Sequence, residues 1–221
     1  MYFVAALALG LAACAPAAPP SVDPATTTIV ANAVEALQAD PIFVHVEQTG
    51  SYSTSVSPVG GTTTMSADFA GDDLSAIVVV EVGDYRSAGD VVVIGDDFFS
   101  RTDGGGWKVI PTSEVATFVA NLRANLRLVD DADDLRYVGD VSTTETSLHH
   151  LTATGPIPYP SSAGGTGTYT SLDLFVTEDG TPVRAKAQYE ATDPSGAVIR
   201  GDTALVYSRY GEAIQIDAPV P

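Results

Sequence analysis

The chain has 221 residues, of which 45% are apolar, and its formal net charge is −18. This length and apolar content suit one globular domain with its own core, or two small ones. The negative charge repels phosphate backbones and anionic lipid headgroups, so it argues against nucleic-acid binding and against a polybasic membrane contact. The only cysteine, Cys14, cannot form an intrachain disulfide, so packing must hold the fold together.

The sequence begins with a short apolar run that leads into the cysteine. Residues 1–13 read MYFVAALALGLAA, which is too short to span a bilayer but typical of the apolar region of a signal peptide. The ending Leu11-Ala12-Ala13-Cys14 resembles the lipobox of bacterial lipoproteins, in which the cysteine is diacylated. No Lys or Arg precedes the run, which departs from the usual pattern. We predict a signal peptide over residues 1–13 and a palmitate-type lipid on Cys14, with an ordinary secretory signal as the alternative.

A proline-rich segment follows the cysteine. Residues 15–24 contain four prolines, which exclude a helix interior and a central strand. We interpret residues 14–25 as a tether that holds a folded domain, residues 26–221, away from the membrane. Two acyl chains anchor a protein stably. The predicted location is therefore the cell membrane, with the domain facing the periplasm or the exterior.

From residue 26 onward, helical spacing gives way to strand alternation. Residues 26–39 carry their apolar side chains on one face, can be capped by Thr27 or Thr28, and stop before Pro41, which predicts a first helix. Glycine-containing turns then separate short apolar runs, which is typical of an antiparallel meander. The turns are predicted at residues 60–61, 71–73, 83–84 and 95–96. The strands are predicted at residues 42–57, 62–70, 74–82, 91–94, 98–101 and 107–110.

The second half repeats this order. Residues 113–129 predict a second helix, capped by Ser113 and apolar along one face. Residues 156–168 are rich in Pro, Gly and Ser without apolar periodicity and are interpreted as a long loop. Turns are predicted at Asp179-Gly180 and at residues 193–196. The strands are predicted at residues 137–141, 147–154, 169–177, 182–191 and 197–207, with residues 214–217 as a further candidate.

The element order is helix, five or six strands, helix and about five strands, without βαβ units. A long antiparallel sheet with one apolar face needs a cover, and two amphipathic helices are available to provide it. We therefore predict an α+β fold in which a curved antiparallel sheet carries helices on its apolar face.

This order resembles that of the mycobacterial LppX/LprA/LprF/LprG lipoproteins and, more distantly, the LolA-like lipoprotein carriers. The resemblance spans nearly the whole chain and is a match of order and pattern. It rests on the lipobox and on residues 98–107, 137–151, 172–184 and 207–219. It implies a half-open β-barrel with helices covering its concave face, acyl chains held between sheet and helices, transport of lipids or lipoproteins across the envelope, and no enzymatic activity.

The residues that carry chemistry elsewhere do not form a recognisable catalytic or metal motif. His149 and His150 are adjacent on a predicted strand, so they point to opposite faces and cannot bind one metal together. His45 is the third histidine, and the acidic run 130–134 lacks the glycine and final glutamate of an EF-hand loop. Nucleophile-elbow, Walker and dinucleotide motifs are absent from the sequence. We therefore predict neither catalysis nor a cofactor or metal.

Two strands suggest where a ligand would be held. Residues 76–80 and 91–94 are apolar on both faces, more than a sheet with one packed face requires. Our first hypothesis is an apolar cavity that binds the acyl chains of a lipid or acylated ligand, with residues 156–168 gating its mouth. Trp107 is either a lining residue or a core residue under the second helix. The candidate lining residues are Val78, Val80, Val92, Ile94, Phe98, Trp107, Phe118 and Leu122.

Two other functions remain open. The same fold, with a filled or shallow groove and no lipid cargo, would suit an envelope sensor or protein-interaction module. An envelope hydrolase would need a convergent polar cluster, which the sequence does not indicate. Under the first hypothesis, the expected partners are the lipid, the membrane through Cys14, and an envelope transport protein.

Overall fold

The computed structural model describes residues 24–39, 42–111, 132–142, 147–159, 166–193 and 195–219, together with positions 115, 116, 119, 126, 128 and 129. The predicted signal peptide, Cys14 and nearly all of the tether lie outside these residues, as does most of the predicted second helix. Within the described part of the chain, no helix is long and apolar enough to cross a membrane.

The first helix, α1, spans Pro24–Leu37 and begins two residues earlier than predicted. Proline suits the first turn of a helix because its missing N–H would have no helical partner there. Thr27 and Thr28 consequently lie inside the helix, and their predicted capping role is wrong. The helix ends at Leu37, two residues before the predicted end.

Twelve β-strands are present in the described residues. Six precede the second predicted helix, within the predicted five or six, and six follow it, one more than the five or so that the alternation and turn residues indicated. A short 3-10 helix, Ala132–Asp134, leads into the second set. The strands are β1 (Phe43–Thr54), β2 (Ser57–Ala70), β3 (Asp73–Val82), β4 (Tyr85–Ile94), β5 (Asp97–Thr102), β6 (Lys108–Pro111), β7 (Leu135–Ser142), β8 (Ser147–Ala153), β9 (Ile157–Tyr159), β10 (Thr166–Val176), β11 (Pro182–Thr192) and β12 (Val198–Ser208).

All of these strands belong to one antiparallel sheet in the order β6-β5-β4-β3-β2-β1-β12-β11-β10-β8-β7, and β9 also pairs with β10. Each half of the chain forms a meander of neighbouring strands. The two meanders join where β1 pairs with β12, with His45 opposite Ser208 and Thr54 opposite Ile199. Among the described residues, β6 and β7 have no further partner strand, so the curved sheet stays open as a half-open barrel with a helix, which confirms the predicted α+β class.

Gly60 and Gly61 were predicted to form a turn, but they lie inside β2, and the turn is at Ser55 and Val56. Both glycines face Tyr52 on the neighbouring strand. A Cβ atom on Gly60 would lie 2.7 Å from the Tyr52 carbonyl oxygen, and one on Gly61 would lie 2.5 Å from the Tyr52 ring. Glycine is therefore present here because two strands approach closely, a known role of glycine within sheets.

Two further boundaries differ from the predictions. The predicted loop 156–168 contains β9, in which Ile157 is 3% exposed, and β10 begins at Thr166 instead of residue 169. Residues 160–165 lie outside the described residues. The candidate strand 214–217 is irregular, although Ile214 is buried. The burial of one apolar side chain does not produce a strand, because a strand also needs the edge of a neighbouring strand for its backbone hydrogen bonds.

The core lies on one face of the sheet, which we call the inner face; the opposite face is the outer face. Alternate residues of each strand, such as Val44 and Val46 of β1, point into this core. α1 covers part of the inner face with Ala33, Val34 and Leu37. Val119 and Leu126, which the helical pattern placed on the apolar face of the second helix, are buried in the same cluster.

α1 runs across the ends of several strands, roughly from β8 towards β12. Its Asn32 side chain donates a hydrogen bond to the Asp179 carbonyl in the turn between β10 and β11. Nearer its C-terminal end, the Ala36 carbonyl accepts a hydrogen bond from the Tyr210 hydroxyl, just beyond β12. α1 therefore lies over the inner face of the second meander.

Candidate ligand-binding site

Three of the predicted lining residues lie on the inner face. Val78 is opposite the buried Met65 and packs against the core. Val80 is two residues farther along β3 and therefore points the same way. Phe98 is opposite Val93, and both are buried in the core.

The structure places three other candidates, Val92, Ile94 and Trp107, on the outer face. Val92 and Ile94 alternate with the inward-pointing Val91 and Val93, so they face away from the core. Each of β3 and β4 is apolar on both sides, and the sequence pattern alone could not say which residues point inward. Phe118 and Leu122, the remaining two candidates, lie outside the described residues.

Trp107 is also found on the outer face. Its ring is 4.8 Å from the Arg101 guanidinium carbon, a cation–π contact. Arg101 forms an ion pair with Asp90, which alternates with the core residue Val91. Trp107 is half-buried by this contact and does not belong to the core cluster. The expectation of a core position under the second helix is therefore corrected.

A cavity of about 530 Å³ lies between the first half of α1, strand β8 and the turn after β10. This volume falls in the range of small-molecule binding sites. The helix side is mainly apolar, and Ile29 packs against the core as well as lining the cavity. The strand side carries polar groups. The lining residues are Ala25, Thr28, Ile29, Ser147, His149 and Glu178.

His149 is the most constrained polar group of this wall. Its Nδ1 atom lies 2.6 Å from an Asp140 carboxylate oxygen, and the Tyr137 hydroxyl donates to the same oxygen at 2.6 Å. Hydrogen bonds from Tyr137 and then from His149 lower the pKa of the Asp140 carboxyl, so it is ionised at neutral pH. When Nδ1–H donates to this carboxylate, Nε2 carries the lone pair and can accept a hydrogen bond.

The Nε2 atom of His149 is buried and has no hydrogen-bond partner within the described residues. His149 pairs with Val176 and alternates with Leu151, both fully buried, so it is on the inner face. His150 points to the outer face, where it stacks on Phe175 at 4.6 Å, which confirms the prediction of opposite faces. The alternation of residues 147–151 was the signal that could have identified His149 as a site residue.

In the described part of the chain, no group of three or more His, Cys, Asp or Glu side chains could hold a metal ion. Two other clefts, of about 470 and 370 Å³, share Ser51 and Tyr52 and are lined mainly by polar residues. Among these three clefts of the described residues, the cavity beside α1 combines an apolar wall with the unpaired Nε2 atom of His149.

No family model matches the chain, and no curated protein matches it in sequence. Among solved structures, it is similar to a LolA superfamily protein from Nitrosomonas europaea, with 14% identity and a TM-score of 0.35 over 88% of this chain and 94% of that one. A DUF1329 family protein from Desulfovibrio piger matches with 14% identity and a TM-score of 0.30 over 87% and 95% of the two chains.

The structure of MucB in complex with MucA(peri) matches with 13% identity and a TM-score of 0.32, over 83% of this chain and 56% of that one. All three TM-scores are 0.35 or lower, too low to establish a common fold. The half-open arrangement of sheet and helix therefore rests on the strand pairing of the chain itself.

Proposed function

We propose that the chain is a membrane-anchored lipoprotein that binds the acyl chains of a lipid or acylated ligand and carries it across the cell envelope, without catalysis. The observation that carries this proposal is the cavity of about 530 Å³ beside α1. Its apolar helix wall, with Ala25 and Ile29, suits hydrocarbon, and burial stabilises a chain by about 0.8 kcal/mol per CH₂. Its polar wall, with Ser147 and His149, suits a headgroup.

The point at which the proposed tether joins the folded domain supports the same function. Ala25 lines the cavity and is adjacent to the first residue of α1, so the proposed tether joins the domain next to the ligand site. In this proposal, a lipid on Cys14 keeps the cavity within reach of the membrane from which the ligand is taken. The ten residues 15–24, which follow Cys14, extend at most about 35 Å.

Lipid binding is tested on the chain carrying Cys14→Ser, which lacks the proposed anchor. We expect mass spectrometry of an organic extract of the purified protein to show co-purifying lipid. Ile29→Trp should fill the cavity and remove that lipid, whereas Val206→Trp makes a comparable change on the exposed outer face and should retain it. Equal lipid content in both variants, or none in the Cys14→Ser chain, would contradict the proposal.

The anchor is tested separately. The wild-type chain should incorporate labelled palmitate and fractionate with membranes, whereas Cys14→Ser should do neither. Membrane association that persists in Cys14→Ser would show that the cysteine is not the anchor.

A second candidate function is favoured by the outer face. Val109 and Ile77 are more than half exposed there; Val109 lies on the edge strand β6 opposite the half-buried Phe99, and Ile77 lies on β3. Exposed apolar residues beside an unpaired edge are typical of a protein-binding surface. A sensor or interaction module would retain a membrane protein stoichiometrically in pull-downs, lose it with Val109→Asp, and contain no lipid.

A further inference from the structure

The two polar clefts that share Ser51 and Tyr52 join into one groove, which we call the outer groove. Their volumes, about 470 and 370 Å³, each fall within the range of ligand-binding sites. The groove crosses the sheet from Thr170 on β10 to Glu81 on β3. This distance is five strand spacings, or about 24 Å between backbones.

The polar side chains of the outer groove point away from the core. Asp202 of β12 is exposed and alternates with the buried Thr203. Gln188 of β11 is exposed and alternates with the core residue Ala187. A ligand can therefore reach these groups directly from solvent, on the face opposite the cavity beside α1.

Irregular strand pairing surrounds the groove. The register shifts after Tyr52 in β1 and after Tyr169 in β10. Such β-bulges bend a strand, increase its twist and are frequent beside functional sites. Gly201 of β12 lies between them, and a Cβ atom there would collide with the Ser51 carbonyl oxygen. The groove is therefore a built feature of the sheet, where two bulged strands flank one that requires glycine.

The lining of the groove offers hydrogen-bond donors and acceptors side by side. Gln188 contributes a side-chain amide, which contains both kinds of group. Hydroxyl groups, which also donate and accept, come from Ser51, Ser53, Thr62 and Thr170. This composition suits a ligand that itself donates and accepts along its length.

The charges of the groove argue against an anionic ligand. Arg200 Nε donates to Glu190 at 2.6 Å, and Arg86 Nε donates to Glu81 at 3.2 Å. Asp202 is left as the one charge of the lining without a counterion within the described residues. A phosphate or carboxylate group in the groove would meet net negative charge and no unbalanced cation.

The groove also does not have the composition of a cation site. Within the described residues, no three acidic, His or Cys side chains lie close enough together to hold a metal ion. A basic peptide could use Asp202, but it would bury the Arg200 guanidinium against its own positive charge. An uncharged ligand rich in hydroxyl groups avoids both costs, because each hydroxyl can donate to a carboxylate and accept from a guanidinium or an amide.

We propose that the outer groove binds an uncharged, unbranched oligosaccharide. Sugar hydroxyls donate to the Asp202 carboxylate and accept from Arg200 and Gln188. Several rings in an extended chain span the groove from β10 to β3. This ligand is separate from the acyl ligand, since the two sites lie on opposite faces of the sheet.

The test is isothermal titration calorimetry on the full chain carrying Cys14→Ser. The uncharged probes are cellopentaose and chitopentaose, both of which have an extended backbone. We expect them to bind with a Kd of about 1 mM or tighter. Pentagalacturonate, which is anionic, should bind at least tenfold more weakly. The fully deacetylated form of chitopentaose, which is cationic, should bind no more tightly than chitopentaose itself.

Two pairs of variants locate the binding. Asp202→Ala should weaken the uncharged probes roughly tenfold, by removing a charged hydrogen-bond acceptor. Asp97→Ala removes an exposed carboxylate outside the groove and should leave their affinity unchanged. Ser53→Trp should obstruct the groove and abolish binding, whereas Ser208→Trp, at another exposed strand position, should retain it. Melting temperatures of all four variants show that each is folded.

Failure of both uncharged probes to bind would overturn the inference and leave the lipid extraction of the same chain unaffected. Tighter binding of the cationic probe would also overturn it, because the groove would then be a site for basic ligands. Equal affinities of Ser53→Trp and Ser208→Trp would show that the sugar binds elsewhere, which contradicts the assignment even if Asp202→Ala fails to fold.

Discussion

The Nδ1 atom of His149 and a carboxylate oxygen of Asp140 are 2.6 Å apart, on adjacent antiparallel strands. This contact fixes which nitrogen of the imidazole faces the cavity. A carboxylate accepts only, so Nδ1 carries a proton, and in the neutral imidazole Nε2 is left as an acceptor. In that form the polar wall of the cavity is matched to a headgroup that donates hydrogen bonds.

Asp140→Asn tests this relationship. An amide can donate to Nδ1, which would move the imidazole proton to Nε2 and reverse the hydrogen bonding offered to the ligand. We expect affinity for glycerol monostearate, measured by displacement of a fluorescent acyl probe, to fall roughly three- to tenfold with little change in stability. Asp173→Asn, which alters the equivalent contact of His150 on the outer face, serves as control. A similar loss of affinity in both variants would argue against a specific role for Asp140.

His45 predicts a pH dependence of stability. Partial burial lowers the pKa of His45, but hydrogen bonds to Asp68 and Glu47, at 2.8 and 3.0 Å, outweigh this and raise it overall. A raised pKa in the folded state stabilises the protein fully below the unfolded value, about 6.5, and this contribution is lost as the pH rises through the folded value. Arg209, which lies 3.8 Å from Asp68, also faces this cluster.

Urea denaturation of wild type and His45→Gln between about pH 5.5 and 8.5 measures this contribution. The wild type should be more stable than the variant at the acid end, and the difference should shrink as the pH rises. A difference that stays constant with pH would exclude protonation of His45 as its cause.

A side chain introduced at Gly180 should strongly disturb the packing of α1. Its φ of +90° disfavours any side chain, and a Cβ there would lie 2.5 Å from Cβ of Asn32. Gly180→Ala should therefore destabilise the protein by roughly 3 kcal/mol, from backbone strain and overpacking combined. Gly196→Ala has a similar φ of +88° with nothing within 4 Å, and should cost about 1–2 kcal/mol. Equal losses of urea stability would mean that α1 does not pack against Gly180 as described.

Trp107 provides a test of its corrected position. It is the only tryptophan, so the intrinsic indole fluorescence reports on its surroundings alone. Because Trp107 packs on Arg101 at the outer face, Arg101→Gln should change the emission, and saturation with glycerol monostearate should not. A shift of the emission on ligand binding would indicate that Trp107 lines the cavity.

Much of the architecture follows from local signals. Turns such as Gly83-Asp84 and Asp179-Gly180 lie where the strand pattern is interrupted, and both glycines have positive φ. Gly60 and Gly61 show the limit of this rule, because their role depends on Tyr52 of the neighbouring strand. From the sequence alone, a glycine at a turn cannot be distinguished from a glycine that leaves room for an aromatic ring on a neighbouring strand. The strand pairing must be known first.

The candidate site was less predictable for a related reason. Val92 and Ile94 were chosen from a strand that is apolar on both faces, and only its pairing with β3 and β5 shows that they point outward. Ile29 and His149 meet across the cavity although 120 positions separate them in the chain. Alternation with Leu151 could have assigned His149 to the inner face, but its proximity to α1 could not be deduced locally.

The two meanders meet at the pairing of β1 with β12, which we call the seam. Its position determines the order in which the strands can pair during folding. Gln48 and Thr203 hydrogen-bond across it although they are 155 residues apart. Each meander can form from contacts between successive strands, but the seam must wait until nearly the whole chain is available, and such distant pairings are slow to form. Until β12 arrives, β1 has one unpaired edge, which is a site for aggregation. A newly made chain is therefore most vulnerable just before its last strand is added.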